Sequence, residues 1–215
     1  MNYGCALGYA VERENLGLVQ QLLDLGANPN GRAGVFGSVL RHAVHKGVTA
    51  IATLLIDRGA DPNISTSDFR SPLSAAVFQS NESMICRLLD AGADVNVDGG
   101  KAFVSACGHG NTRIVKLLID AGAEIHIQQG VPGLALQRAA SWGQVDVCKL
   151  LISLGVNVNA QGGEAGYVLK FFLTPLLLAN FSKEMPFERF WVTCTSANPT
   201  RQHRLSNILL ASAPM

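Results

Sequence analysis

The sequence predicts an all-α solenoid in which helix–turn–helix units stack side by side and are joined by short hairpin fingers. The segment Leu-Leu-Asp-Leu-Gly-Ala-Asn-Pro-Asn at 22–30 returns in edited form four more times along the 215-residue chain. The glycines of these copies lie 33, 33, 30 and 33 residues apart, at Gly26, Gly59, Gly92, Gly122 and Gly155. An alanine precedes each glycine at a constant distance: Ala10, Ala43, Ala76, Ala106 and Ala139. Self-similarity at this period is typical of repeat proteins, in which each unit buries its apolar face against its neighbours.

Residues 71–96 show how one unit is expected to be built. Ser71 predicts a helix N-cap, and Pro72 after it presets the backbone for the first helical position. A second helix is expected from about 83 to 91, because apolar residues recur there with helical spacing: Met84, Ile85, Leu88 and Leu89. Gly92 predicts the end of this helix in a left-handed conformation. Residues 93–96 should then leave in extended form toward a hairpin tip.

Composition and charge exclude several classes of protein. The 17 basic and 16 acidic residues leave a net charge of +1, so the chain lacks the basic surface typical of nucleic-acid binding. Its five cysteines lie far apart without a Cys-x-x-Cys pair, which argues for a reducing compartment. No signal-peptide pattern is present, and the most apolar stretch, 168–181, is too short to span a bilayer. We therefore expect a cytoplasmic protein, with the nucleus as the alternative compartment.

The repeating unit resembles the ankyrin repeat. Ser-Pro-Leu-Ser-Ala-Ala at 71–76 stands where that family has Thr-Pro-Leu-His-x-Ala. The resemblance covers residues 3–169, which would hold five repeats and the start of a sixth. Tyr-Gly-Cys-Ala-Leu at 3–7 and Ala-Gln-Gly-Gly-Glu at 160–164 are similar to fungal ankyrin arrays such as those on NACHT-type receptors. No Gly-Lys-Ser/Thr motif of an NTPase domain is present in this sequence.

Departures from the repeat pattern lead to further expectations. The connection before the fourth repeat is three residues short, so its finger should be stunted. Phe172 stands where the alanine column requires a small residue, and Glu188 stands where a glycine is expected. We interpret residues 170–215 as a non-repeat tail, partly apolar and partly disordered, which is either native or translated intron.

The sequence shows no constellation of catalytic or metal-binding residues. His42 and His45 have the i, i+3 spacing that could begin a metal site, but no third ligand has a fitting position and structural zinc requires four. We expect His42 to be partly packed and His45 to be solvated. Cys86, Cys107 and Cys148 are interpreted as structural, because a nucleophile needs a positioned histidine and an orienting partner. We therefore expect no metal, no cofactor and no enzymatic activity.

The family resemblance implies a protein partner that contacts the concave face at the exposed end of each first helix, and the finger tips. The candidate contacts are Arg13, His45, Lys46, Phe78, Gln79, His109 and Trp142 on the helices, and Arg32, Asp68 and Arg70 on the fingers. Phe78 and Trp142 are singled out, because exposed aromatic side chains dominate binding hot spots. The alternative is that each packs over a loop of the neighbouring repeat.

The predicted function is a non-catalytic protein-interaction module, a monomer that binds neither nucleic acid nor membrane. The mixed charges at the helix ends suggest a protein partner of mixed character. One alternative is a fragment of the sensor region of a larger NACHT-type receptor. An enzyme is the alternative of a different class, and it would need a catalytic centre in the tail, where Glu188, Cys194 and His203 form no motif.

Overall fold

A computed structural model describes residues 5–64, 71–125 and 134–156. Within these ranges it contains α-helices, a short 3-10 helix at Gly34–Phe36 and an isolated antiparallel bridge between Arg32 and Ser38, and no strand. The helices are α1 Ala6–Glu12, α2 Leu16–Asp24, α3 Val39–Lys46, α4 Thr49–Asp57, α5 Pro72–Phe78, α6 Glu82–Asp90, α7 Lys101–His109, α8 Thr112–Asp120, α9 Leu134–Ser141 and α10 Val145–Ser153. The predicted all-α fold is confirmed.

The helices form five consecutive antiparallel pairs whose first members make an inner layer. In that layer α1 packs on α3, α3 on α5, α5 on α7, and α7 on α9. The second members form an outer layer, in which α2 packs on α4, α4 on α6, and α8 on α10. Each repeat thus buries its apolar face against the next repeat in sequence, as a solenoid requires.

The alanine column explains how closely the inner helices approach one another. Its five members are all buried, with at most 1% of their surface exposed. The space on either side is filled by large buried side chains, which include Leu40, Leu73, Phe103 and Leu136 on the inner helices. Outer-helix leucines at one repeated position are also fully buried: Leu55, Leu88, Leu118 and Leu151.

The unit over 71–96 begins and ends as the sequence predicts. The Oγ of Ser71 accepts a hydrogen bond from the backbone N–H of Ser74 at 3.2 Å, and Pro72 occupies the first turn of α5. Gly92 follows α6 with a φ of +85°, in the left-handed region where glycine is favoured. α6 itself runs Glu82–Asp90, one residue earlier at each end than expected.

A single carboxylate organises the short connection before the fourth repeat. The connection spans residues 91–100, whereas those before α3 and α5 span 25–38 and 58–71, so the finger is short as expected. Oδ2 of Asp98 accepts hydrogen bonds from the hydroxyls of Ser71 at 3.1 Å and Ser74 at 2.6 Å. Oδ1 accepts from the backbone N–H of Lys101 at 3.2 Å, at the start of α7. Asp98 therefore ties α5 to the first turn of α7.

Asparagine side chains connect the loops that follow successive outer helices. The Oδ1 of Asn63 accepts from the backbone N–H of Asp94 at 2.7 Å, while its Nδ2 donates to the carbonyl of Gly92 at 2.9 Å. Asn96 makes the same two contacts one repeat later, with Glu124 at 3.1 Å and Gly122 at 3.0 Å. These amides satisfy backbone groups that the chain turns leave without helical partners.

Several expectations lie outside the described residues. They concern the finger-tip residues Asp68 and Arg70, the start of the sixth repeat and the tail at 170–215. Within the part of the chain that the structure describes, no helix is both long and apolar enough to cross a membrane.

Candidate functional site

The predicted helix contacts lie at one structural position that recurs along the inner layer. Each stands at the C-terminal end of an inner helix, one or two residues before the residue with positive φ in the turn to the outer helix. We call this set, together with Arg138, the helix-end surface; it comprises Arg13, His45, Lys46, Phe78, Gln79, His109, Arg138 and Trp142. Because the inner helices stack in order, these side chains lie side by side on successive repeats.

The two aromatic side chains of the helix-end surface are exposed. Phe78 has 57% and Trp142 has 62% of its surface accessible to solvent. Phe78 meets the ring of His109 on the next repeat edge-on, with the ring centroids 5.7 Å apart. The expected alternative, packing over a neighbouring repeat, therefore applies to Phe78 only in part and leaves more than half of its surface open.

Arg138 is a part of this surface that the sequence reasoning missed. Its guanidinium carbon lies 5.7 Å from the ring centroid of Trp142, one helical turn further along the chain. Gly108 on the preceding repeat makes room for this side chain, because a Cβ there would stand 3.0 Å from Cγ of Arg138. The i, i+4 spacing of Arg138 and Trp142 was the available signal, but the sequence alone did not place Arg138 beside Gly108.

The first two repeats are joined by a polar cluster around the buried His42, beside the helix-end surface. Nε2 of His42 lies 2.9 Å from Oε2 of Glu12, and the ring of His42 stacks on Phe36 with centroids 4.1 Å apart. His42 is fully buried, so the expectation that it is only partly packed was wrong. Lys46 donates to the backbone carbonyl of Glu12 at 2.9 Å, and its Nζ lies 3.4 Å from Oε1 of Glu14. The carboxylates of the first repeat are thus used within the fold.

The pKa values of this cluster follow from its burial and charges. Burial, helped by the charges of Lys46 and His45, lowers the pKa of His42 and outweighs the hydrogen bond to Glu12 and the charge of Glu12, which raise it. Burial raises the pKa of Glu12, but the hydrogen bond from His42 and the charge of Lys46 outweigh this and leave the pKa lowered. At neutral pH His42 is therefore neutral and donates from Nε2 to an ionised Glu12, because a carboxylate can only accept.

The remaining predicted contacts have different environments. Nε2 of Gln79 donates to the backbone carbonyl of His45 and so links α5 to α3. His45 itself is exposed, and partial burial together with the charge of Arg41 lowers its pKa. Arg13 is exposed at the end of α1, and Arg32 is exposed where its backbone bridges to Ser38 at the base of a finger.

Charge is distributed unevenly between the two layers of the described residues. Inner helices α3, α5, α7 and α9 contain no carboxylate within their bounds. They do carry basic side chains and histidines: Arg41, His42, His45, Lys46, Lys101, His109 and Arg138. Beyond Glu12 and Glu14, the described acidic residues lie on outer helices or connections: Asp24, Asp57, Asp61, Glu82, Asp90, Asp94, Asp98, Asp120, Glu124 and Asp146.

The described residues offer little for catalysis or metal binding. No group of three or more His, Cys, Asp and Glu side chains among them is placed to hold a metal ion. Burial raises the pKa of the Cys107 thiol to about 12, with a smaller contribution from Cys148, and burial raises that of Cys148 to about 11. Both thiols are protonated at neutral pH, and a thiol in that form is a poor nucleophile.

Comparison with known proteins agrees with this architecture. The family model described as "Ankyrin repeats (3 copies)" matches residues 7–98 and again residues 95–162, which together make up well over half of the chain. None of the curated proteins matches it. Ankyrin repeats are generally protein–protein interaction modules and are typically non-catalytic. By its sequence, its paired helices and this match, the chain belongs to the ankyrin-repeat family.

Proposed function

We propose that this protein is a non-catalytic module that binds a protein partner through its concave helix face, at the helix-end surface, and through its finger tips. The observation that carries the proposal is the exposure of Phe78 and Trp142, at 57% and 62%, beside cations on stacked helices. Large exposed aromatic side chains cost solvation free energy in a free monomer and are typical of interaction sites. A partner that covers them would recover that free energy.

The helix-end surface is also well suited to rigid recognition. Its residues project from helices rather than from long loops, so little conformational freedom is lost when a partner binds. Hydrogen bonds between repeats hold its backbone in place: Gln79 bonds the carbonyl of His45, and Nε2 of Gln144 bonds the carbonyl of Gly108 at 3.0 Å. Arg32, Asp68 and Arg70 belong to the proposal as finger contacts beside this surface.

Partner capture with the full chain tests the proposal. The wild-type chain and a Trp142→Ala variant serve as bait in the native cell, and the affinity of the captured partner is then measured for each. We expect the variant to bind more weakly by about 1–3 kcal/mol, as hot-spot truncations do, with an unchanged melting temperature. Leu25→Ala is the matched control, because Leu25 is an 84% exposed apolar side chain that follows outer helix α2.

Two results would count against the proposal. If Trp142→Ala lowers the melting temperature sharply, Trp142 is a packing residue. If Leu25→Ala weakens partner binding as much as Trp142→Ala, the contact is not localised to the helix-end surface.

The more specific alternative, a fragment of the sensor region of a larger NACHT-type receptor, stays a prediction based on the repeat sequences at 3–7 and 160–164. Sequencing the genomic region upstream of the Met1 codon tests it. An open reading frame that continues upstream into an NTPase domain would support it.

A further inference from the structure

We propose that the helix-end surface binds an acidic peptide segment of the partner, with one carboxylate on Arg138 and an adjacent apolar side chain on Trp142. This inference rests on the proposed function and adds the chemistry of the partner. It is carried by the charge distribution between the layers and by the arrangement of Arg138, Trp142 and Gly108.

The positive character of the inner layer is a local feature. The whole chain has a net charge of only +1, yet inner helices α3, α7 and α9 carry lysine or arginine without any carboxylate within their bounds, although Lys46 of α3 pairs with Glu12 and Glu14 of the first repeat. On the outer layer, three arginines are paired with acids of the neighbouring repeat. Arg58 lies 2.7 Å from Asp24, Arg113 lies 3.0 Å from Glu82, and Arg87 pairs with Asp57. Among the described residues Arg138 has no ion-pair partner, so an acidic segment meets its full charge on the inner layer, whereas these three outer-layer arginines are already paired.

Arg138 is arranged to receive a carboxylate. Its side chain passes over Gly108 and its guanidinium lies against the ring of Trp142. Contact with an aromatic ring restricts the guanidinium, whose N–H groups have no hydrogen-bond partner among the described residues and are available for a bidentate carboxylate. Because part of the side-chain entropy is already lost in the free protein, less is lost on binding.

The neighbouring aromatic residues indicate what accompanies the acidic side chain. Trp142 lies beside Arg138, and Phe78 lies beside His109 of the next repeat, so an apolar surface adjoins a nitrogen donor at two places along the array. Packed helices lie roughly 8–10 Å apart, and an extended peptide advances about 3.3 Å per residue. An extended segment would therefore pass from one repeat to the next about every three residues, so acidic and apolar side chains should alternate on that spacing.

A peptide is favoured over nucleic acid by the density of charge. The cations of the helix-end surface are few and lie among aromatic side chains, whereas nucleic-acid surfaces concentrate lysine and arginine on a domain of strongly positive net charge. Nucleic acid and anionic membrane are therefore treated as competing outcomes of the test.

The test pans a library of phage-displayed random peptides against the immobilised full chain. We expect the enriched peptides to be acidic and to contain apolar residues near the acids. Synthetic versions of the enriched peptides are then measured by fluorescence anisotropy against wild type, Arg138→Glu and Arg113→Glu. Arg138→Glu should weaken binding by at least about tenfold, since charged hydrogen bonds contribute about 1.5–3 kcal/mol. Arg113→Glu is the matched control, because Arg113 is a highly exposed arginine on outer helix α8 and should leave binding unchanged.

A second variant tests the position of the Arg138 side chain without changing its charge. In Gly108→Ala the added Cβ would stand 3.0 Å from Cγ of Arg138, so that side chain must shift by a few tenths of an ångström while its charge is kept, and alanine favours the helix at this position. We expect the acidic peptides to bind Gly108→Ala several-fold more weakly. Melting curves of every variant identify any that fail to fold.

The outcomes distinguish this inference from the proposed function. Neutral or basic peptides that depend on Trp142 would overturn the acidic assignment and leave the proposed interaction module standing. Acidic peptides that bind Arg138→Glu as well as wild type would overturn the assigned site. Tighter binding to single-stranded poly(U) or to phosphatidylserine vesicles than to the acidic peptides, or no enriched peptide at all, would also overturn the inference.

Discussion

Replacement of Gly143 by alanine should destabilise the fold through backbone conformation alone. The turn inside each helix pair has one residue with positive φ, and the same position is used in every repeat. These residues are Glu14 at +54°, Gly47 at +75°, Ser80 at +53°, Gly110 at +81° and Gly143 at +71°. For a residue with a Cβ this left-handed conformation costs about 1–2 kcal/mol of conformational free energy, because the Cβ crowds the following carbonyl.

The size of the effect can be worked out from the surroundings of each glycine. A Cβ on Gly143 would have no heavy atom within 4 Å, so Gly143→Ala should cost the conformational 1–2 kcal/mol, roughly, less about 0.5–1 kcal/mol because alanine restricts the unfolded chain, a net loss of up to about 1.5 kcal/mol. A Cβ on Gly110 would instead lie 2.0 Å from Oε1 of Gln144, so that side chain would have to move. Its 3.0 Å hydrogen bond to the Gly108 carbonyl would then be lost, which adds about 0.5–1.5 kcal/mol.

The reverse substitution provides an internal check. Ser80→Gly removes the left-handed strain but increases the backbone freedom of the unfolded chain, which costs about 0.5–1 kcal/mol. The two terms leave a net stabilisation of up to about 1.5 kcal/mol.

Urea unfolding and thermal melting of the full chain, followed by far-UV circular dichroism, measure these changes. Gly110→Ala should be the least stable, followed by Gly143→Ala, wild type and Ser80→Gly. Each kcal/mol should shift the melting temperature by about 2–4 °C in a chain of this length. The reasoning is refuted if Gly143→Ala is as stable as wild type, or if Ser80→Gly is clearly less stable. Either result would mean that backbone strain does not limit the stability of these turns.

Three further predictions concern polar groups inside the fold. The native state lowers the pKa of His42 below 6.5. As the pH falls below that value the unfolded chain therefore binds more protons than the native chain, and the stability of the wild type should decrease. The melting temperature of His42→Gln should fall less than that of the wild type between neutral and mildly acidic pH. Asp98→Ala removes the acceptor of two buried serine hydroxyls and should lower the free energy of unfolding in urea by about 2–4 kcal/mol. A decrease of less than about half a kcal/mol would contradict the role given to Asp98. Asn63→Ala leaves the backbone groups of Gly92 and Asp94 without their amide partner and should raise amide hydrogen exchange at Asp94, while unchanged exchange would contradict the bridging role.

Much of the fold could be predicted from the sequence because a solenoid is built from local contacts. The glycine column ends the outer helices, and Gly92 shows the positive φ expected of that position. The alanine column is buried along the array, as are Leu55, Leu88, Leu118 and Leu151 on the outer helices, because these repeats pack on their neighbours in the same way. The positions of Phe78 and Trp142 at inner-helix ends followed from the same register.

What the sequence did not reveal are contacts between side chains about one repeat apart. His42 is fully buried because Glu12 and Phe36 surround it, and neither is its neighbour in sequence. Asp98 serves α5 and α7 at once because the shortened connection brings it to Ser71 and Ser74.

The same distinction applies to the candidate site. Its backbone positions repeat with the sequence, so the helix ends could be located in advance. The place of Arg138 depends on the missing side chain of Gly108, one repeat earlier, and on the ring of Trp142. The conformation of a long flexible side chain is set by the space and partners that the neighbouring repeat supplies. Those become defined only when the repeats pack, so the sequence determined the stacked array and the tertiary structure decided which side chains meet on its surface.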